Sequence, residues 1–358
     1  MSKIPDDWFD RYKFCQPLGQ GGMGIIYLAE DKQNGQAPCV VKQLISTNTD
    51  SEERDEAIRL FMREVHMLSH LEHRGIVRFF DHHVTKDGKY FLVMDFIPGK
   101  NLEAIVAQYG PFTSEATVEI GIQCCEVLEY LHEQNPAIIY RDLKPSNLML
   151  TPEGEIVFID FGIARTFMPK QSATRVVTAG YSPPEQYFGR PETRSDLYAL
   201  GATLGHLLTG QRPKPLSSSA PRMLKHDVLF TLDDLIRRMT SHNPEDRPVT
   251  ARQVRYELYH IYQEIHPDFE VPQEALLALE KLSIANKYLS SPTFKEKAEA
   301  QQQKSSQQKM PEVDPNKDYD TRDLMRLTRD KNSTMQRRLT STKKRGIWDK
   351  IKELLNIR

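Results

Sequence analysis

The stretch Ile138–Leu150, IIYRDLKPSNLML, decides how the chain is read. Arg141, Asp142, Lys144 and Asn147 lie within seven positions, between two apolar runs that belong in a core. Polar side chains emerging together at a core boundary must be satisfied by one another or by a ligand. The residues that follow decide between the two. Leu148–Leu150 reads as a short strand, Thr151–Gly154 (TPEG) has turn chemistry, and Ile156–Ile159 reads as a second strand, so the three form a hairpin. Antiparallel pairing then places Asn147, which enters the first strand, beside Asp160, which leaves the second. An amide oxygen and a carboxylate at one sheet edge are hard donors, suited to a magnesium ion that keeps waters and substrate phosphates as its other ligands. Such a pair standing alone more often caps a turn.

The pair does not stand alone. LGQGGMG at Leu18–Gly24 supplies Gly19, Gly21 and Gly24, where missing Cβ atoms let backbone amides close over phosphate oxygens. A strand-like run, Ile25–Ala29, follows it instead of a helix, which points to a flap between two strands and away from a dinucleotide-binding turn. In the helical stretch Arg59–Leu71, Phe61, Val65 and Leu68 share one face, and Glu64 falls on that face. Lys42, inside the strand-like run Cys39–Leu44, is equally out of place and must snorkel or pair. A Lys42–Glu64 ion pair would satisfy both and leave ammonium hydrogens directed at a phosphate.

In this order the motifs resemble those of eukaryotic-type protein kinases over residues 12–265. Gly19, Gly21 and Gly24 match the glycine-rich loop, Lys42 the strand lysine, and Glu64 the helix glutamate. YRDLKPSN at Tyr140–Asn147 matches the catalytic loop, Asp160–Gly162 (DFG) the metal motif, and Pro183–Glu185 (PPE) the end of the activation segment. Asp196, Gly201 and Arg247 match architectural positions, the first supporting the catalytic-loop backbone and the last pairing with Glu185. The resemblance implies an α+β bilobal fold, with a small antiparallel β-rich lobe carrying one helix and a larger helical lobe. It implies ATP and Mg2+ as cofactors and serine/threonine hydroxyls of proteins as acceptors. Asn147 and Asp160 would hold the metal, Lys42 steadied by Glu64 the α- and β-phosphates, and Lys144 the γ-phosphoryl group. Asp142 would align the acceptor hydroxyl and take its proton late. Leu18, Gly19, Gln20, Gly21, Gly22, Met23, Gly24, Ile26 and Val40 would enclose the nucleotide with Met94, Asp95, Ile97 and Met149. Val40 replaces a usual alanine, Tyr140 a histidine and Pro183 an alanine; none removes a reacting group, though Val40 narrows the adenine site. Lys144, two after Asp142, and Thr178, seven before Glu185, match serine/threonine kinases, and GYSPPEQY has a bacterial style.

Arg141 precedes the catalytic aspartate, and in kinases of that kind this arginine orders the activation segment by pairing with a phosphate. Arg165 could join it, and Ser172, Thr174 and Thr178 are the candidate autophosphorylation sites. Thr178 has an equal claim to a structural place in the substrate pocket. Two other readings stay open: a pseudokinase-like scaffold or nucleotide-sensing binding module, and a small-molecule phosphotransferase.

The composition agrees with a globular protein: of 358 residues 39% are hydrophobic and 27% charged, enough for two lobes with their own cores. No run approaches the roughly 18 apolar residues of a membrane span, and MSKIPDDWFDRYK lacks a signal-like apolar core, so a cytoplasmic location is expected. Cys15, Cys39, Cys124 and Cys125 form no ligand or disulfide spacing and are expected to be small core residues. Residues 1–11 read as an N-terminal extension, 12–97 as the small lobe, 98–265 as the large lobe and 266–290 as a short helical extension. A Gln- and Lys-rich linker expected to be disordered follows over 291–320. From Asp320 onward there are twelve basic and five acidic residues, against 48 and 49 in the whole chain, so the tail is basic and the body acidic. Ile347, Trp348, Ile351, Leu354 and Leu355 recur at helical spacing there. They suit docking on the chain's own kinase body, a partner protein or an anionic membrane surface. RRLT at Arg337–Thr340 resembles a basophilic kinase target that could occupy the substrate groove, and no specific nucleic-acid binding is expected.

Overall fold

The structure, a computed structural model, describes residues 8–21, 24–44, 51–85, 89–161 and 178–277. Its small lobe is an antiparallel five-stranded sheet: β1 (Tyr12–Gly21), β2 (Gly24–Asp31), β3 (Ala37–Leu44), β4 (Phe79–Val84) and β5 (Tyr90–Asp95), in the spatial order β1-β2-β3-β5-β4. Strand alternation gives the sheet two packed faces. Cys39 and Val41 of β3 join Tyr12, Ala29, Phe91 and Val93 on one face, covered by Trp8 from the short helix α1 (Trp8–Arg11). Leu44, Leu92 and Met94 face the other way, into the main core with Phe61, Val65 and Leu68 of α2 (Ser51–Ser69).

The large lobe begins at β6 (Lys100–Asn101), which pairs with the hairpin β7 (Leu148–Leu150) and β8 (Ile156–Phe158). The turn closes where expected: Thr151 O accepts from Gly154 N–H at 3.0 Å and Thr151 N–H donates to Glu155 O at 2.9 Å. Around the hairpin lie α3 (Leu102–Tyr109), α4 (Ser114–His132), α5 (Pro184–Tyr187), α6 (Thr193–Thr209), α7 (Phe230–Met239) and α8 (Ala251–Ile265). Thr113 caps α4 through Oγ1, which accepts from Ala116 N–H at 3.2 Å. In α6 every residue from Ser195 to Leu208 is buried, with α4 and α7 packed against it, while α8 packs chiefly on α4.

One expectation, the burial of Cys15, is corrected. The apolar run Ile76–Phe80 divides between two sheets, because only from Phe79 does the chain join the small lobe. Ile76 instead bridges Phe158 in parallel; Gly75 O accepts from Phe158 N–H at 2.9 Å and Val77 N–H donates to Phe158 O at 3.0 Å. Gly75 permits this approach, since a Cβ there would lie 2.5 Å from Val127 Cγ2 and 3.1 Å from Ile156 O. Cys15 is exposed, at a bulge in β1, while Cys39, Cys124 and Cys125 are buried as expected. Burial pushes the Cys39 thiol up to about 11, which keeps it protonated and unreactive at neutral pH.

No helix among the described residues is long and apolar enough to cross a membrane. The linker over 291–320, the basic tail with its helical pattern, and Arg165, Ser172 and Thr174 lie outside the described residues.

Candidate active site

The opening hairpin does what its spacing predicts. Leu148 pairs with Phe158, and Ile159 N–H donates to Asn147 O at 3.1 Å, which brings the residue entering β7 beside the segment leaving β8 toward Asp160. Asn147, 6% exposed, anchors its amide nitrogen on Asp142, donating to the backbone O at 2.8 Å and to Oδ2 at 3.0 Å. That anchoring orients the amide plane and turns Oδ1 away from Asp142. Asp160 carries the second oxygen donor.

Asp142 is 3% exposed. Its Oδ2 also accepts from Lys144 Nζ at 3.0 Å, and its Oδ1 accepts from the Thr178 hydroxyl at 2.7 Å. Lys144 Nζ lies 3.4 Å from the same hydroxyl. A carboxylate, an ammonium and an alcohol therefore meet at one point, with the alcohol oriented toward the carboxylate.

The backbone beneath Asp142 is strained and held. Arg141 has φ 67°, a left-handed conformation that costs an L-residue of order 1–3 kcal/mol. Asp196, fully buried, offsets this with two charge-assisted bonds: Oδ2 accepts from Tyr140 N–H and Oδ1 from Arg141 N–H, both at 2.8 Å. His132 Nε2 meets Asp196 Oδ2 at 2.9 Å. Tyr140 fills the internal position expected of it, edge-on to Phe158 and to Phe161 at 4.9 Å.

Lys42 corrects one expectation. Its ammonium, 7% exposed, lies 2.7 Å from Asp160 Oδ1, and no Lys42–Glu64 ion pair occurs among the described residues. A buried ammonium takes the carboxylate that reaches it, and here that carboxylate is the one following β8. Glu64 is half-buried on α2 and has another interaction of its own.

Of the expected adenine-site residues, Met94 belongs to the main core, Val40, Ile97 and Met149 pack against that core, and Val40 and Met94 are register partners. Ile26 is half-buried and sits opposite Lys42 across the sheet. Asp95 commits its N–H to Arg78 O at 3.0 Å and its carboxylate to the Arg78 guanidinium at 3.1 Å, so its carbonyl is what it can offer a base. The glycine-rich segment is the β1–β2 hairpin, with Gly19 opposite Ile26, Gln20 opposite Ile25 and Gly21 opposite Gly24. Leu18 and Gln20 are exposed, and Gly22 and Met23 lie outside the described residues. Gly24 is demanded by the fold, since at φ 145° a Cβ would sit 1.9 Å from Gln43 O. Gly19 is not, because a Cβ there would meet nothing within 4 Å. The open space at Gly19 and the two oxygen donors fit a nucleotide phosphate with a magnesium ion, which needs few protein ligands.

Beyond the chemistry, Glu185 and Arg247 form a two-pronged ion pair at 2.7 and 3.0 Å, with Arg247 3% exposed. Burial raises the Glu185 carboxyl, but hydrogen bonds from Arg247 and Ser195 outweigh it and hold the group below the ordinary carboxylate range. Three polar participants escaped the sequence reading: His132 on Asp196, and Ser182 and Gln186 near Arg141. None carries a periodic signal; Gln186 lies in a helix of four residues.

Comparison with known proteins agrees with this geometry. The protein kinase domain family matches residues 12–260. The chain is 33% identical over 262 residues to serine/threonine-protein kinase PknA of Nostoc sp., covering 68% of this chain and 46% of that protein. It is 32% identical over 287 residues to PknB of Mycobacterium tuberculosis, covering 74% of this chain and 45% of that protein. The chain thus spans less than half the length of these curated relatives. The crystal structure of the Mycobacterium tuberculosis PknI kinase domain superposes with a TM-score of 0.58 at 26% identity, covering 70% of this chain and 96% of that domain. With its β-rich small lobe, its helical large lobe and a family match over residues 12–260, the chain belongs to the protein kinase domain family.

Proposed function

We propose that this protein is an ATP- and Mg2+-dependent protein kinase that transfers the γ-phosphoryl group to serine and threonine hydroxyls. The observation that carries the reading is the Thr178 hydroxyl donating to buried Asp142 at 2.7 Å beside the Lys144 ammonium. An acceptor alcohol in that place would be aligned by Asp142 and would release its proton there as its oxygen gains a bond to the γ-phosphorus and the bond from that phosphorus to the β,γ-bridging oxygen breaks, releasing ADP. A carboxylate is a weak base for an alcohol proton, so alignment is the main contribution of Asp142. Lys144 offsets negative charge on the transferred group, and Lys42 exchanges its bond to Asp160 for the α- and β-phosphates. Asn147 and Asp160 would hold the magnesium, which when bound neutralises phosphate charge.

The nucleotide would lie against Leu18–Gly24, Ile26, Val40, Met94, Asp95, Ile97 and Met149. Activation-segment autophosphorylation at Ser172 or Thr174 is part of the proposal, with Arg141 as the phosphate's partner. The engaged Thr178 hydroxyl favours the substrate-pocket role for that residue. A cytoplasmic site of action and docking of the basic tail on the kinase body, a partner or an anionic membrane remain part of the same proposal.

The test is to incubate purified protein with ATP and magnesium and map new phosphates by mass spectrometry, beside Asp160→Asn. Phosphoserine and phosphothreonine in the wild type alone support the reading. Nucleotide binding with no transfer to itself or to generic acceptors would replace it with the sensor or scaffold reading.

A further inference from the structure

Asp142 is reached by two polypeptide paths, and Gln186 joins them. The Gln186 side-chain amide, 8% exposed, donates to Arg141 O at 2.9 Å and to Ser182 Oγ at 3.3 Å. Ser182, 2% exposed, accepts from Thr178 N–H at 3.1 Å, and the Thr178 hydroxyl in turn donates to Asp142. The chain Asp142–Thr178–Ser182–Gln186–Arg141 therefore closes on itself through the peptide bond between Arg141 and Asp142.

The position of that bond matters. Asp196 grips the peptide units on the N-terminal side of Arg141, through the N–H groups of Tyr140 and Arg141. Gln186 grips the carbonyl of the next unit, whose plane carries the N–H and Cα of Asp142. The left-handed Arg141 is thus clamped on both sides, one clamp from α6 and the other from the end of the activation segment. Releasing the second lets the plane bearing Asp142 rotate while Asp196 still holds the first.

We propose that Gln186, working through Ser182 and the Arg141 carbonyl, is a positioning residue for Asp142, so that the carboxylate is aligned only when residues 178–186 are in place. The inference rests on the kinase reading above. It predicts an effect on turnover, since no nucleotide-binding residue is touched.

Gln186→Met keeps the length and removes the donor. It is expected to lower kcat by about 10- to 100-fold, the scale of a misplaced reacting group, with KM for ATP within about twofold and little change in thermal midpoint. Gln186→Glu supplies the sharper readout. Ionised, it cannot donate to Arg141 O; protonated, its O–H can, and burial raises the pH at which it protonates. Its kcat relative to wild type should climb as pH falls from 8 to 6, within a single folded protein even if Gln186→Met does not fold. A wild type active beside variants of equal kcat, or a Gln186→Glu ratio flat with pH, overturns this proposal alone. A wild type that transfers nothing overturns the kinase reading and this proposal with it.

Discussion

Replacing Arg247 by alanine should unfold the large lobe more readily than any loss of apolar area at that site would suggest. The side chain is wholly buried and makes five hydrogen bonds: two to Glu185 and one each to the carbonyls of Ser241, Arg194 and His242. Its removal leaves the Glu185 carboxylate, 14% exposed, without its cation and with the Ser195 hydroxyl and its own backbone N–H as the remaining donors among the described residues. Breaking a buried pair from one side costs about 3–5 kcal/mol. At about 2–4 °C per kcal/mol for a domain of this size, the thermal midpoint falls by about 6–20 °C. The pH dependence separates charge from packing. In the wild type Glu185 is held below its ordinary value near 4.3, so the pair's contribution is complete above that pH and drains as pH falls through the lower folded value. In Arg247→Ala the same buried carboxyl has lost its cation and rises above the ordinary value, so its penalty is full at neutral pH and shrinks as it protonates. The deficit is therefore largest near pH 7 and narrows below about pH 5. Urea titrations of both proteins across pH 4 to 8 measure it. A deficit under about 1 kcal/mol, or one flat across that range, refutes the account.

Asp142→Asn should lower phosphoryl transfer by about 10²- to 10⁴-fold while ATP affinity, followed by calorimetry, stays within a few-fold. Asp160→Asn should raise the magnesium concentration for half-maximal nucleotide binding, and chelation should abolish transfer in the wild type; equal magnesium titrations in the two proteins would remove Asp160 from the metal site. Lys42→Met should raise KM for ATP while the thermal midpoint moves little, if the ammonium holds the phosphates as proposed. Asp196→Ala strands two buried N–H groups on a strained backbone and should cost about 2–5 kcal/mol by denaturant titration, with kcat falling in parallel.

The catalytic-loop hairpin was legible because three constraints agree on it: two short apolar runs, a TPEG turn, and polar residues just outside both strands. Asn147 and Asp160 follow from antiparallel pairing alone. Ile76–Phe80 was not legible, since an apolar run does not say which of two sheets claims each residue; that depended on Gly75 fitting against Val127 and Ile156. The Lys42 partner was misjudged for a related reason. Glu64 and Asp160 both have the right charge, and the choice between them is three-dimensional. Gln186 and Ser182 were invisible because their work is done through backbone groups, which carry no residue identity.

The parallel contact between Ile76 and Phe158 has a mechanical consequence. Among the described residues the backbone joins the small lobe to the large one along the covalent strand from Asp95 to Lys100 and at the Gly75–Val77 stitch on β8, while Lys42–Asp160 and Phe79–Phe161 add side-chain contacts. Sliding one lobe past the other would have to break both backbone hydrogen bonds of that stitch.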